Sequence, residues 1–135
     1  MRSKLQTRQR GAAMVEFALG IMFFLVLVVG LIEFGRGVWI YTTVAHATRQ
    51  GARYAMAHGS QNPASADQIR SVVASQAVGL DSSKLEVNTT WNPANQRGAT
   101  VQVRVRYPFE FVAAPLLVSQ SSITLGATSQ MIVAN

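Results

Sequence analysis

Residues 11–32 read GAAMVEFALGIMFFLVLVVGLI, an apolar, helix-compatible run with one charge, Glu16, near its start. From Phe17 to Ile32 there are sixteen uncharged residues, which as a helix span about 24 Å at ~1.5 Å per residue. A bilayer's hydrocarbon core is ~30 Å thick. Counting from Ala12 gives twenty-one residues and about 31 Å, enough to cross. That length is reached only by taking Glu16 into the membrane or its inner edge. A carboxylate near the bilayer centre costs on the order of 2.5–3.5 kcal/mol, and less toward the edge. The run predicts a transmembrane helix with a carboxylate that needs a partner.

In front of the run stands MRSKLQTRQR, with Arg2, Lys4, Arg8 and Arg10 and no acid. By the positive-inside rule this leader holds the N-terminus in the cytoplasm. Arg36, Arg49 and Arg53 lie beyond the run, but Arg36 follows Glu33 by three residues, a helical pair that partly offsets its charge. A basic segment before an apolar one also describes a secretory signal peptide. Against that, Ile32 is followed by Glu33, Phe34, Gly35 and Arg36, and the nearest A-x-A, Ala45-His46-Ala47, is far behind. An uncleaved anchor remains open on these residues.

The 135 residues carry a net charge of +6, from 12 basic and 6 acidic residues. Four of the basic ones are in the leader. Residues 64–135 hold five basic residues against four acidic, so the distal part is nearly neutral. The high pI therefore reports the leader and first helix, and nucleic acid is not an expected partner. Without cysteine there are no disulfides, thiolate metal sites or cysteine nucleophile.

Helical spacing continues past the apolar run. Val38, Tyr41, Ala45, Thr48, Ala52 and Ala55 follow three- and four-residue steps. Ala47, Gly51 and Ala55 make a small-xxx-small row that lets another helix come close. No proline occurs before Pro63, and Gly59 through Pro63 is a stop. One helix from about Ala12 to His58, roughly 70 Å long, is predicted. It is too long for one small domain to cover, so other copies or related helices are its expected partners. Trp39 and Tyr41 sit where interfacial aromatics belong; packing of Trp39 against the distal domain is an equal alternative.

A second helix is predicted over residues 64–77. Its apolar side holds Ile69, Val72, Val73, Gln76 and Ala77; Ser65 or Asp67 is its cap and Gly79 its end. Period-two alternation follows. Leu85, Val87, Thr89 and Trp91 face one way, and Glu86, Asn88 and Thr90 the other. After a turn over residues 92–98, Val101, Val103, Val105 and Tyr107 alternate with Gln102, Arg104 and Arg106. Pro108 is expected to stop the pairing or put it on an edge. Residues 112–122 read as an apolar linker, and Ile123, Leu125, Ala127, Ser129 and Met131 as a third strand. The expected fold is α+β and membrane-anchored. A long N-terminal helix is transmembrane with a periplasmic extension. A short second helix and a small antiparallel sheet of about three strands follow, the sheet's apolar face laid on the helices.

Enzyme chemistry finds no support. His46 and His58 are twelve residues apart, about 18 Å along a helix, and cannot share a metal. The distal carboxylates show neither ligand spacing nor pairing, and no phosphate loop or nucleophile elbow occurs. No catalytic residue, metal site, cofactor or small-molecule substrate is expected. Arg104 and Arg106 form a solvated face or a stripe for an anionic partner. Arg49 and Arg53, one turn apart, face solvent or lipid headgroups.

One motif carries a mechanism. Gly11 is followed by four small or apolar residues, then Glu16 and Phe17, between the basic leader and the apolar run. This resembles the processing site of type IV pilin-like precursors, which a membrane aspartic peptidase cuts after the glycine. The resemblance implies that residues 1–11 are a cleaved leader and that the mature chain begins at Ala12 with Glu16 fifth. It further implies that the Glu16 carboxylate meets the N-terminal amine of a neighbouring subunit.

The stretch from Arg10 to Ala55 resembles the TadE-like family of pseudopilins from tight-adherence (Tad, or Flp) pilus systems. Three marks carry it: RGAAMVEF before the span, Glu33-Phe34-Gly35-Arg36 just after it, and ATRQGARYA from Ala47 to Ala55. The distal strands resemble the family's only loosely. The length suits the TadE or TadF kind better than the longer TadG kind. The resemblance implies a non-enzymatic protein of the bacterial inner membrane that helps assemble, initiate or cap a pilus. Its implied partners are the prepilin peptidase, other pilins and pseudopilins, and the assembly machinery. Residues 12–36 would be the transmembrane helix, 37–59 its periplasmic extension and 60–135 a small periplasmic α/β domain. The assembly residues would be Glu16 and Phe17, with Glu33, Arg36, Ala47, Gly51 and Ala55 as helix-packing positions. The alternative is an uncleaved single-pass protein whose distal domain binds a partner in the envelope.

Overall fold

A computed structural model describes residues 2–59, 62–112 and 122–134, with side chains from residue 11 onward. Helix α1 runs Arg2–Ala57 and α2 Ala66–Gln76; a short 3-10 turn, Ser82–Lys84, precedes strands β1 (Glu86–Asn92), β2 (Thr100–Glu110) and β3 (Ser122–Ile132). The chain divides into two compact units, Met1–Gly35 and Arg36–Asn135, and α1 contributes to both. A long helix, a short second helix and a three-stranded antiparallel sheet are as expected. The start of α1 is not: it lies at Arg2, ten residues before Ala12, so the leader is helical too. Lys4, Leu5, Gln6, Arg8, Gln9 and Arg10 are good helix formers, and no proline interrupts them.

In the first unit every residue from Gly11 to Leu27 is exposed. In the second unit α1 presents a buried stripe of Ile40, Val44, Ala47, Thr48, Gly51, Ala52 and Ala55. Thr48, Ala52 and Ala55 of the helical series lie in this stripe, whereas Val38 and Tyr41 are about half exposed and Ile40 and Val44 take the inward positions beside them. Thr48 is buried without penalty, its hydroxyl donating to the Val44 carbonyl at 2.7 Å. The end of α1 is closed by His58, whose Nδ1 donates to the Tyr54 carbonyl at 2.9 Å while its ring lies 4.1 Å from that of Tyr54. One of the orphan carbonyls of the last turn is thereby satisfied.

Helix α2 opens with a capping box. Ser65 Oγ accepts from the Gln68 N–H at 3.2 Å, and Gln68 Oε1 accepts from the Ser65 N–H at 2.9 Å. That makes Ser65 the cap, with Asp67 in the first turn where the helix dipole favours an acid. Ile69, Val73 and Ala77 are buried as expected. Gln76 is exposed, a correction to the predicted face, since its amide would have to find a partner inside.

The strand order is β1-β2-β3, antiparallel throughout. Val101, Val103 and Val105 are fully buried, Tyr107 is half-buried and Arg104 and Arg106 are exposed. Pro108 does not end β2, which continues to Glu110 with Pro108 opposite Thr124 on β3. Pairing with β1 does end there, at Glu86 opposite Arg106. The proline therefore sits where one side of β2 is a local edge and its missing N–H costs no ladder bond. The predicted linker over residues 112–122 lies almost wholly outside the described residues. Valines 101, 103, 105 and 133, Leu85 and Phe109 from the sheet side share one core with Ile69 and Val73 of α2 and the α1 stripe. Sheet and helices thus form the two layers that a one-faced apolar sheet requires.

Gly51 fixes how closely the layers meet. A Cβ there would lie 2.5 Å from Val73 Cγ2 and 3.7 Å from both Ile69 Cγ2 and Val103 Cγ1. Val73 is fully buried and β-branched, so its helical rotamer is nearly fixed. We expect Gly51→Leu to lose ~1–3 kcal/mol or more by overpacking, outweighing the ~1 kcal/mol of helix propensity it gains. The melting temperature of the solubilised protein should fall, and Val73→Ala should restore part of the loss. An unchanged melting temperature would refute the close approach.

Candidate membrane and assembly segment

Gly11, Ala12, Glu16 and Phe17 lie on consecutive turns of α1 in the first unit, all exposed. A Cβ placed on Gly11 would meet no atom within 4 Å beyond the local backbone of its own helix. The Gly11–Ala12 bond is inside the helix, and Gly11 is the residue there with the lowest helix propensity, ~1 kcal/mol below alanine. Ala12 and Glu16 are four residues apart, so the Ala12 nitrogen and the Glu16 side chain fall about one turn from each other. The most apolar window of the helix has a mean hydropathy of 2.7 and none of it is buried. This helix is long and apolar enough to cross a membrane.

Glu33 and Arg36 flank the division between the units, both half-exposed. The Arg36 guanidinium carbon stands 5.2 Å from the centroid of the Phe109 ring, within cation–π range. Phe109 is also met edge-on by Phe111 at 4.8 Å. The sequence reading missed Phe109, although it continues the inward parity of Val105 and Tyr107 past the proline. Ala47, Gly51 and Ala55 are buried inside the second unit. At Gly51 the close neighbours are Val73 and Ile69 of the chain's own α2 and Val103 of β2.

Trp39 is about half exposed, and its ring covers Gly79. A Cβ on Gly79 would fall 2.9 Å from Trp39 Cη2, and φ there is +80°. Both the backbone and the contact require glycine. Nearby, Asp81 caps the 3-10 turn, accepting from the Ser83 hydroxyl at 2.7 Å and the Ser83 N–H at 2.9 Å. Those bonds hold its carboxyl below the usual range. Lys84 Nζ donates to Glu110 Oε1 at 2.9 Å, which raises the ammonium's pKa.

Among the described residues no group of three or more His, Asp or Glu is placed to hold a metal. Arg70, Glu86, Arg104 and Arg106 line a shallow groove of about 380 Å³ beside β1. Arg104 Nε donates to Thr128 Oγ1 at 3.3 Å across the outer face.

These features define a protein with one long apolar N-terminal helix, of the length and composition of a membrane anchor, which continues into a small two-layer α+β unit. The family model described as TadE-like protein matches residues 11–53. That stretch is TadE-like, and it holds the apolar segment, Glu16, and α1 from Gly11 to Arg53, without the leader turns before it and the last turn after it. No curated protein and no solved structure matches the chain. A TadE-like segment points to involvement with the tight-adherence pilus system.

Proposed function

We propose that this chain is a minor pseudopilin of a tight-adherence pilus, anchored in the bacterial inner membrane and cut after Gly11 by a prepilin peptidase. The observation that carries the reading is Glu16, an exposed carboxylate at the head of an apolar helical segment exposed from Gly11 to Leu27, inside the TadE-like match. Residues 12–36 serve as the transmembrane helix, residues 37–59 as its periplasmic extension and residues 60–135 as the periplasmic domain. Glu16 and Phe17 guide docking among other pilin helices, and the role is structural rather than enzymatic. The chain helps assemble, initiate or cap the pilus, alongside other pilins, pseudopilins and the assembly machinery.

The unbroken course of α1 through the Gly11–Ala12 bond favours a second reading, an uncleaved anchored protein that binds a partner in the envelope. For cleavage, the helix has to open locally at Gly11. The mass of the detergent-extracted protein separates the two. A chain beginning at Ala12 supports processing, and one retaining Met1–Gly11 supports the plain anchor.

Topology gives a further expected result. With four cationic residues and no acid in the first ten, the N-terminus stays cytoplasmic. A reporter fused after Asn135 should be active only if it matures in the periplasm. Activity of a cytoplasm-only reporter at the same position would reverse the assignment.

A further inference from the structure

The second unit carries large exposed apolar side chains at one end. Val78 is 73% and Val112 74% exposed, with Ile123 and Trp39 near half. They belong to different elements, but the residues next to them in the chain or in the strand register converge on residues 36–39. Val78 precedes Gly79, against which the Trp39 ring packs. Ile123 pairs with Phe109 in the β2–β3 register, and the Phe109 ring lies under Arg36 and 3.9 Å from the Cβ position of Gly37. Val112 follows Phe111, which meets Phe109 edge-on. This is the end at which α1 enters the unit, one residue after Gly35.

We infer that this end of the unit rests on a lipid surface, with Trp39, Val78, Val112 and Ile123 in the headgroup–acyl boundary. The inference rests on the membrane-anchored reading and extends it to residues outside the first helix. Chain continuity selects lipid as the occupant. Ile32 closes the uncharged run and Trp39 follows seven residues later, about 10 Å along a helix. The interfacial layer on each side of the hydrocarbon is roughly 5–8 Å deep. Trp39 therefore falls at or just outside headgroup level, where tryptophan is enriched, and the aliphatic residues gathered at the same end share that depth. The Lys84–Glu110 ion pair near that end suits a surface wetted by headgroups. Ile132 is a natural control. It is 65% exposed but pairs with Thr100 at the other end of β2 and β3.

The chain has no cysteine, so single replacements give unique labelling sites. Val78→Cys, Val112→Cys, Ile132→Cys and Leu25→Cys in the full chain would each carry a small fluorophore. The proteins would sit at low density in phosphatidylethanolamine–phosphatidylglycerol vesicles with nitroxide lipids. A nitroxide near the headgroup should quench the labels at 78 and 112 severalfold more than the label at 132. A deep nitroxide should quench the label at 25. Quenching at 25 with positions 78 and 112 no different from 132 would overturn the inference and leave the anchor intact. Absence of quenching at 25 would remove the anchor and the inference together. Labels at 78 and 112 that are shielded from water yet unquenched would also overturn it, in favour of a protein neighbour.

Discussion

Glu16→Ala is expected to enter the membrane at least as well as the parent chain and to yield no pili. Insertion improves because a carboxylate in or near the hydrocarbon costs up to ~2.5–3.5 kcal/mol and alanine costs nothing comparable. Assembly fails for a different reason. Cutting after Gly11 would expose an ammonium at Ala12, at the end of α1 where the helix dipole already places partial positive charge. A carboxylate is the natural partner for it. Within one chain Glu16 lies a turn away, and in a bundle the Glu16 of one subunit can meet the Ala12 of the next. Removing one member of such a pair in low dielectric costs ~3–5 kcal/mol, a hundredfold or more in an association constant at ~1.4 kcal/mol per tenfold.

Cleavage and assembly should then separate by mutation. Gly11→Leu puts a bulky side chain at the scissile bond and strengthens the helix there, so the full-length chain should accumulate in the membrane. Glu16→Ala should be cut normally and still fail. Intact mass of the membrane-extracted protein reads the first step, and a pilus assay in a strain lacking the parent chain reads the second. Normal piliation by Glu16→Ala would leave Glu16 as a marker of the interface with its carboxylate among headgroups. An intact leader on the functional protein would remove the ammonium, and with it the pair.

The elements were legible where one rule governs them. Sixteen uncharged residues announce a helix, and Val101, Val103 and Val105 announce a strand face because alternation has only two phases. Capping gave the start of α2 to within a choice of two residues, and the reciprocal bonds of Ser65 and Gln68 made that choice. Helical phase was harder. Around residue 40 the sequence offers Val38, Tyr41 and Ala45 as readily as Ile40 and Val44, and only the sheet and α2 packed against α1 decide which row turns inward. The small row Ala47, Gly51 and Ala55 reads as a place for a helix of any origin. At Gly51 the neighbours are Val73 and Ile69 of α2 and Val103 of β2, and no local pattern encodes which element packs there. Phe109 was hidden by Pro108, since a proline ends most strands and does not end one whose neighbour has already stopped. Of the candidate assembly segment, residue types and spacing were visible, whereas the helical course of the residues before Gly11 was not.

Val103→Asp should unfold the second unit while Arg104→Asp leaves it standing, although the two residues are adjacent on β2. Val103 is fully buried, between Thr89 on β1 and Ser129 on β3, with its Cγ1 3.7 Å from the Cβ position of Gly51. Its replacement forfeits ~1.5–3 kcal/mol of apolar burial. It also asks a carboxylate to sit unpaired among aliphatic groups, which costs several kcal/mol more or forces the acid to stay protonated. Domains of this kind have ~5–15 kcal/mol in hand, so the lower part of that range is exhausted. Arg104 is exposed and gives up one long hydrogen bond to Thr128; substitutions at such sites stay within roughly ±0.5 kcal/mol, with a little more for a lost partner. Protease resistance of residues 36–135 in the membrane-bound full chain is the measurement. The Val103→Asp chain should be inserted, because α1 is untouched, but degraded down to its membrane-protected segment. Arg104→Asp should resist digestion like the parent. Equal resistance of both would mean that β2 does not turn its valines toward the helices. Equal loss of both, with insertion intact, would mean that the outer face of the sheet is covered by something that needs Arg104.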